Sequence, residues 1–348
     1  MSLNGIFEDG VWSESFDDSP ASSDVFDLSP AGAASSSGTP FASGFIWSTN
    51  ATPGRSFAVN LTTVIVGIRY FAAALPSPSG ILLTFQDVTA GAAQITLRVF
   101  ADGSFRFFLG NGTGTPLGSA SSPGLISINT WIYLEAKVKI NGSTGTVELR
   151  INGNTSAVIS ASSLNTQSTA NTWVSGLILS GGTGSVSWDD WYMLDTTGSS
   201  PLDTYLGNIH VNGQVANGPG SHTQFTPTNP TNVNWSNTAN TPANTAEYNA
   251  DGTVNDIDTY AYPNISGAPS AVLFVNHKYK VELDAAGVRT IVPICRSGGS
   301  DFAGSVPQTP PNGSYKRFSK VWVVDPNTSS AWSVANAQSA ELGIKINS

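Results

Sequence analysis

The sequence predicts an all-β protein built as two sandwich-like domains, and three observations predict it. Short segments alternate apolar and polar residues with a period of two, the spacing of a strand with one buried face. These segments end at Gly, Asn or Pro, with 35 Gly and 20 Pro among 348 residues, as tight turns require. Charged residues make up only 11% of the chain, against about 25% in ordinary domains. The Glu, Lys and Arg that long surface helices draw on are therefore scarce. Hydrophobic residues, at 40%, suffice for real cores, and the length suits two domains of ordinary size.

Taken in order, residues 1–30 read as an acidic arm with a first strand. Glu8, Asp9, Glu14, Asp17, Asp18, Asp24 and Asp27 all precede the first base, a pattern typical of a solvated arm, with docking or cation binding as the alternative. Strands are expected at 64–71 and 81–86. A hairpin follows, Ile95, Leu97 and Val99 leading through Asp102-Gly103 to Phe105, Phe107 and Leu109. The clearest local structure is 131–153. There Ile132, Leu134, Ala136, Val138 and Ile140 alternate with Tyr133, Glu135, Lys137 and Lys139. After Asn141-Gly142, Val147, Leu149 and Ile151 alternate with Glu148 and Arg150. Alternation bracketed by Asn-Gly is a strong hairpin signal, and Glu148 shares a face with the lysines, where cross-strand ion pairs form. Further strands are expected at 157–160, 174–179 and 186–194.

The run Thr196-Thr197-Gly198-Ser199-Ser200-Pro201 marks the boundary, with a first domain at 31–196, a linker at 197–206 and a second domain at 207–348. The Asn- and Pro-rich stretch 217–249 reads as an extended loop. Strands resume at 271–283, 288–296 and 317–324; Ala-rich 331–340 is the one expected helix, and 342–346 a closing strand. Cys295 stands alone in the apolar run Thr290-Ile291-Val292-Pro293-Ile294-Cys295 and is expected as a buried small hydrophobe.

The formal net charge is −9. Residues 1–206 hold 15 acids and 7 bases, and 207–348 hold 9 and 8. Tight phosphate binding needs clustered Lys and Arg; scattered bases exclude nucleic acid as the expected partner. No apolar run approaches the ~18 residues of a membrane span, and Met1-Ser2-Leu3-Asn4-Gly5 has no leader pattern.

Catalytic patterns are missing. A glycan-cleaving sandwich of the laminarinase kind needs Glu-x-Asp-x-x-Glu on one strand, and Glu282-Leu283-Asp284 runs on to Ala285-Ala286-Gly287 instead. His210, His222 and His277 lack metal-ligand spacing. There is no Gly-x-Ser-x-Gly elbow, and Gly181-Gly182-Thr183-Gly184 precedes a strand, not the helix a phosphate cradle needs. The expectation is a non-enzyme without a cofactor. Two constellations remain as candidates. Asp189, Asp190, Trp191 and Tyr192 are candidate ligand or glycan contacts. Asp189, Asp190 and Asp195 are candidate calcium ligands through their carboxylates. The alternative is that the aspartates fix strand ends and loops while Trp188 or Trp191 packs.

An ordered series of motifs carries a family resemblance. Glu14-Ser15-Phe16-Asp17, Gly67-Ile68-Arg69-Tyr70-Phe71, Trp131-x-Tyr133-x-Glu135, Thr144-Gly145-Thr146-Val147, Arg150-x-Asn152-Gly153 and Asp189-Asp190-Trp191-Tyr192 occur in turn. Together they resemble the concanavalin A-like (LamG-like) jelly-roll domain of tailed-bacteriophage structural proteins. Leu206-Gly207-Asn208-Ile209-His210-Val211 resembles that family's junction to a smaller, phage-specific C-terminal β-sandwich domain. That second domain is matched by Thr290-Ile291-Val292-Pro293, Arg296-Ser297-Gly298-Gly299, Asp325-Pro326, Trp332 and Glu341-Leu342-Gly343.

The resemblance implies a virion component: a capsid decoration protein, a fibre or a tail-associated protein. Its partners would be other virion subunits and itself, as a homotrimer. It would be made in the host cytoplasm and released in the particle. The alternative is a lectin-like adhesin, a tail fibre or host-attachment protein, binding a host surface glycan. The family supplies no catalytic residues. Where relatives carry a Pro-rich acidic segment early in the second domain, 217–249 has few acids.

Overall fold

The computed structural model describes residues 11–14, 33–35, 46–49, 52–180, 186–229, 232–239, 245–284 and 289–348. Most of the acidic arm and the Gly181-Gly184 run lie outside them. The chain divides into two compact units, Met1–Val211 and Asn212–Ser348.

The strands described in the first unit are β1 (Val11–Glu14), β2 (Ala33–Ser35), β3 (Ile46–Thr49), β4 (Gly54–Leu61), β5 (Thr63–Ala72), β6 (Ser79–Asp87) and β7 (Ala92–Phe100). They continue as β8 (Phe105–Leu109), β9 (Pro116–Leu117), β10 (Ile132–Lys139), β11 (Gly145–Ile151), β12 (Ile159–Leu164), β13 (Val174–Leu179) and β14 (Val186–Leu194). They form two antiparallel sheets, an eight-stranded one ordered β12-β11-β10-β5-β14-β3-β2 with β1 also on β14, and a six-stranded one ordered β4-β13-β6-β7-β8-β9.

Alternation decides what lies between the sheets. Val64, Val66, Ile68 and Tyr70 of β5 share one core with Ile95, Leu97 and Val99 of β7 and Phe105 and Phe107 of β8. Burying each such side chain is worth about 1.5–3 kcal/mol, so this apolar layer is what holds the sandwich closed. The 131–153 hairpin is present as β10 and β11, Leu134 facing Ile151 and Val138 facing Val147. Its polar face departs from the expectation, because Tyr133 and Glu135 are buried as well. Glu148 faces Lys137 in register, but its ion pair runs to Arg150 on its own strand at 2.7 Å.

Strand β14 is irregular. Its pairing with β5 slips between Asp189 and Tyr192, and Asp190 sits at φ 49°, a left-handed conformation that Asp tolerates better than most residues. The slip shifts side-chain parity. Trp188 and Trp191 therefore both enter the core, while Tyr192 turns to the opposite face and bonds to Glu135.

The unit boundary differs from the sequence reading. Residues 197–206, expected as a linker, belong to the first unit. Leu202 is fully buried, and the Arg150 guanidinium lies 3.8 Å from the Tyr205 ring centroid.

The second unit comprises β15 (Gly218–Thr223), β16 (Thr226–Pro227), α1 (Asn234–Thr238), β17 (Asn249–Ala250), β18 (Ile257–Ala261), β19 (Val275–Val281) and β20 (Ile291–Ser297). It ends with β21 (Ser300–Ala303), β22 (Lys316–Trp322), α2 (Val334–Ser339) and β23 (Glu341–Ile346). A five-stranded sheet runs β15-β18-β23-β20-β21, with separate pairs β16-β17 and β19-β22. Cys295 is buried, as expected, in a core with Trp322, Trp332, Ala340 and Leu342. The Trp332 indole N–H donates to the Trp322 carbonyl at 2.8 Å. Ser333 caps α2 by accepting from the Asn336 amide at 3.0 Å, which satisfies one orphan donor of that short helix.

The stretch expected as an extended loop at 217–249 contains β15, β16 and α1. Side-chain amides organise it. Asn234 donates to the Phe225 carbonyl and to Asp258, Asn237 to the Tyr248 carbonyl, and Asn249 to Tyr260. Such bonds leave no apolar periodicity for a sequence to display, which is why the reading missed them. Residues 230–231, 240–244 and the expected strand start Val288 lie outside the described residues.

His277 on β19 faces Lys320, its ring 4.9 Å from that of Tyr279. Burial holds its imidazole down at about 3. In the unfolded chain the same group titrates near 6.5, so acid is taken up by the unfolded state first. The stability linked to this site is whole above about pH 6.5 and declines as pH falls below it. His277→Phe is expected to flatten the loss of Tm between about pH 6.5 and 4, followed by scanning calorimetry. A variant whose Tm falls as steeply as that of the parent chain would exclude His277 as the source.

Candidate ligand-binding site

The residues singled out in the sequence come together, but not at a surface. Asp190, Trp191 and Tyr192 are wholly buried and Asp189 nearly so. The Asp190 carboxylate accepts from Arg69 Nε at 2.6 Å on one oxygen. On the other it takes the His210 imidazole Nδ1 and the Val211 amide, each at 2.8 Å. Arg69 reaches on to the Asn208 side chain and the Ile209 carbonyl, both at 2.9 Å. Beside this knot Glu135 accepts from the Tyr192 hydroxyl and from the Gly207 amide. The Tyr133 hydroxyl donates to the Asp190 carbonyl at 3.0 Å. Burial first, then neighbouring phenol and carboxylate charge, pushes the Tyr133 phenol well above its ordinary range. Burial and Glu135 do the same for Tyr192, so both stay protonated donors.

This network lashes 206–211 across the outer face of the eight-stranded sheet. The candidate ligand contacts Asp189, Asp190, Trp191 and Tyr192 are enclosed beneath this network, and Asp190 and Tyr192 bond within the chain. The aspartates fix a strand and a loop, and Trp191 packs in the core.

The three candidate calcium ligands, Asp189, Asp190 and Asp195, are each engaged by the chain itself. Calcium takes six to eight oxygen ligands, whereas Asp190 is surrounded by nitrogen donors. Asp189 accepts from the Asp190 amide, and Asp195 closes its own turn through Thr197. Among the described residues no group of three or more His, Cys, Asp or Glu is placed to share a metal. Of the three histidines, His222 pairs with Asp301 at 2.7 Å and His277 is buried on β19.

The outer face of the six-stranded sheet is different. On β7, Gln94, Thr96, Arg98 and Phe100 alternate with the core residues, and on β8 Arg106 and Phe108 do the same. Arg98 and Arg106 face each other across the hairpin, next to the pair Thr96 and Phe108. All four of Arg98, Phe100, Arg106 and Phe108 are half-buried. The Phe100 and Phe108 ring centroids are 6.4 Å apart. Both guanidiniums lie over the Phe108 ring, at 5.8 and 6.0 Å.

Two loops frame this face. After β8 the chain turns back, Thr96 Oγ1 donating to the Gly110 carbonyl and Arg98 to the Gly112 carbonyl at 2.7 Å. Gly112 has φ 87°, and a Cβ there would meet Thr96 and Arg98 at 3.3 and 3.4 Å; a side chain would be strained and crowded. At the other end the Gln94 amide binds Thr169, Asn171 and Trp173, and its carbonyl oxygen takes the Ser168 and Thr169 amides. Asp87 accepts from Thr169, Asn171 and the Ala90 amide. Burial alone would raise the Asp87 carboxyl, but these hydrogen bonds outweigh it and hold it below the ordinary range. Nearby, the Trp173 indole N–H and the Gln86 carbonyl oxygen are buried without a hydrogen-bond partner.

Sequence reasoning identified this hairpin but not its outer face. The signal was present: the inward apolar residues were read, and the alternate positions, Arg98, Arg106 and Phe108, were not.

Removing one partner of a buried charged pair leaves the other uncompensated and costs about 3–5 kcal/mol. Asp190→Ala is expected to cost that much in denaturant unfolding, with the strap at 206–211 losing amide-exchange protection. A loss under about 1 kcal/mol, the scale of a surface pair, would show that the strap is held by other contacts.

No protein-family model matches the chain, and no curated protein matches it. Among solved structures it is similar to the cellulose-induced protein Cip1, with 11% identity and a TM-score of 0.35 over 49% of this chain and 88% of that one. It is similar to the carbohydrate-binding module CBM66 from Bacillus subtilis, with 13% identity and a TM-score of 0.30 over 47% and 92% of the two chains. A third similar structure is the galectin LEC-6 of Caenorhabditis elegans, with 15% identity and a TM-score of 0.28 over 42% and 90%.

Proposed function

We propose that this chain is a non-catalytic, lectin-like module that binds a carbohydrate on the outer face of the six-stranded sheet. The observation that carries the reading is the half-buried Phe100–Phe108 pair, set on a rigid hairpin and framed by the loops at 110–118 and 168–173. Aromatic faces with a few fixed polar groups around them are the usual lining of a small-ligand site. Strands hold such groups in place better than loops do.

A non-catalytic role is supported by what several of the first unit's described carboxylates do. Hydrolysis of a glycosidic bond needs two of them flanking the substrate about 5–9 Å apart. Here Asp87, Glu135 and Asp190 are each buried and committed to holding a loop or strap. Asp102 is engaged by Ser104 at a hairpin tip.

The resemblance to tailed-phage structural proteins supplies the setting. On a particle surface, a glycan-binding face would make the chain a host-attachment protein, and copies arrayed as an oligomer would add avidity to a weak single site. In a purely structural virion protein another subunit would cover the same face, and no sugar would bind there.

A glycan array probed with the full chain is the test. Binding to a defined glycan subset is expected, weakened roughly 30-fold by Phe108→Ala, the scale of a central aromatic contact. An array with no signal, or binding indifferent to Phe108, would overturn the assignment.

A further inference from the structure

Arg98 and Arg106 conflict with the sheet that carries them. They are directly opposed across β7 and β8, and like charges so placed destabilise a sheet. Neither guanidinium meets a carboxylate among the described residues. Arg98 donates to the Gly112 and Ser79 carbonyls. Arg106 gives two bonds to the Gly118 carbonyl, at 3.3 and 3.2 Å. Two bonds on each side chain leave most of its five N–H donors unused, and Arg98 Nε is buried without a partner. The carbonyls thus aim the pair without neutralising it, and the Phe108 ring lies beneath both cations.

We infer that Arg98 and Arg106 form a two-guanidinium clamp for the acidic group of an anionic sugar, a carboxylate or sulfate carried on a glycan chain. This rests on the carbohydrate-binding reading above and specifies the class of sugar. A guanidinium fork matches a carboxylate or sulfate in shape as well as charge. An anion between the two arginines relieves their mutual repulsion, while the sugar that carries it sits beside the Phe100–Phe108 pair. A nucleic acid is the poorer fit. Its tight binding draws on six to ten phosphate contacts, whereas this face offers two cations on a chain of net charge −9.

The test uses the full chain with three probes: polygalacturonate, dextran sulfate and neutral dextran, each by calorimetry at low and high salt. Arg98→Gln, Arg106→Gln and Arg106→Lys are compared with the parent chain. The expected result is binding to one or both acidic polymers and not to dextran, weakening as salt rises. Each Gln variant should bind at least tenfold more weakly, with Arg106→Lys between. Because removing one charge relieves the repulsion, the Tm of the Gln variants should equal or exceed that of the parent chain, so lost binding would not reflect lost folding. Acidic-polymer binding unchanged in both Gln variants would overturn the clamp. Neutral glycans bound on the array through Phe108, with the acidic polymers ignored, would overturn it while sparing the carbohydrate reading. Failure to bind any glycan would sink both. Tighter binding of single-stranded DNA than of either acidic polymer would overturn the clamp in favour of nucleic acid.

Discussion

The buried carboxylate of Asp190, shared among Arg69, His210 and the Val211 amide, is the constraint on which the first unit's surface depends. A carboxylate taken out of water is tolerable only when its oxygens are filled, and here strand, strap and imidazole all fill them. The slip in β14 makes this geometry available. One extra residue turns Asp190 away from the core, so that Trp188 and Trp191 remain inside it. A single irregularity thus serves packing and polar satisfaction at once.

The two sheets consequently present different faces. The eight-stranded sheet spends its outer face on its own chain: Tyr133, Glu135, Tyr192 and Arg69 lie under 206–211 and bond to that strap or to one another's strands. The six-stranded sheet keeps a face of half-buried aromatics and arginines bounded by two hydrogen-bonded loops. Local preferences agree almost everywhere in this unit, with apolar residues inward, glycines at turns and carboxylates satisfied. Among the described residues the opposed Arg98 and Arg106 depart from these preferences, and such local conflicts gather where a protein meets something outside itself.

In the second unit polar side chains take over part of what apolar packing does in the first. Among the described residues small clusters anchor this second unit, around Trp322 and Trp332 and around Ile291 and Ile346. Asp258, Asn234, Asn249 and Tyr260 bond to one another. Asp325 holds Ser297, Asn327 and Asn336. Such networks order loops that could never bury enough hydrocarbon to order themselves.

The sequence by itself determined the fold class and most strands, because strand periodicity and turn residues are local and survive in a single chain. Strands at 174–179 and 186–194 read out with the bounds they have in the structure. The α2 helix and the buried Cys295 were legible for the same reason. What only the tertiary structure decided is which face of each sheet is covered. Glu135 reads as an exposed residue of an amphipathic strand and is buried because residues 72 positions away bond to it. Asp189–Tyr192 read either as ligand contacts or as aspartates fixing strand and loop beside a packed Trp, and the face each side chain takes is set by a bulge that no two-residue alternation announces. Arg98 and Arg106 are eight residues apart in the chain, and only hairpin register sets one against the other. Charge, burial and partner choice across a sheet are products of pairing at a distance, and that is where local sequence falls silent.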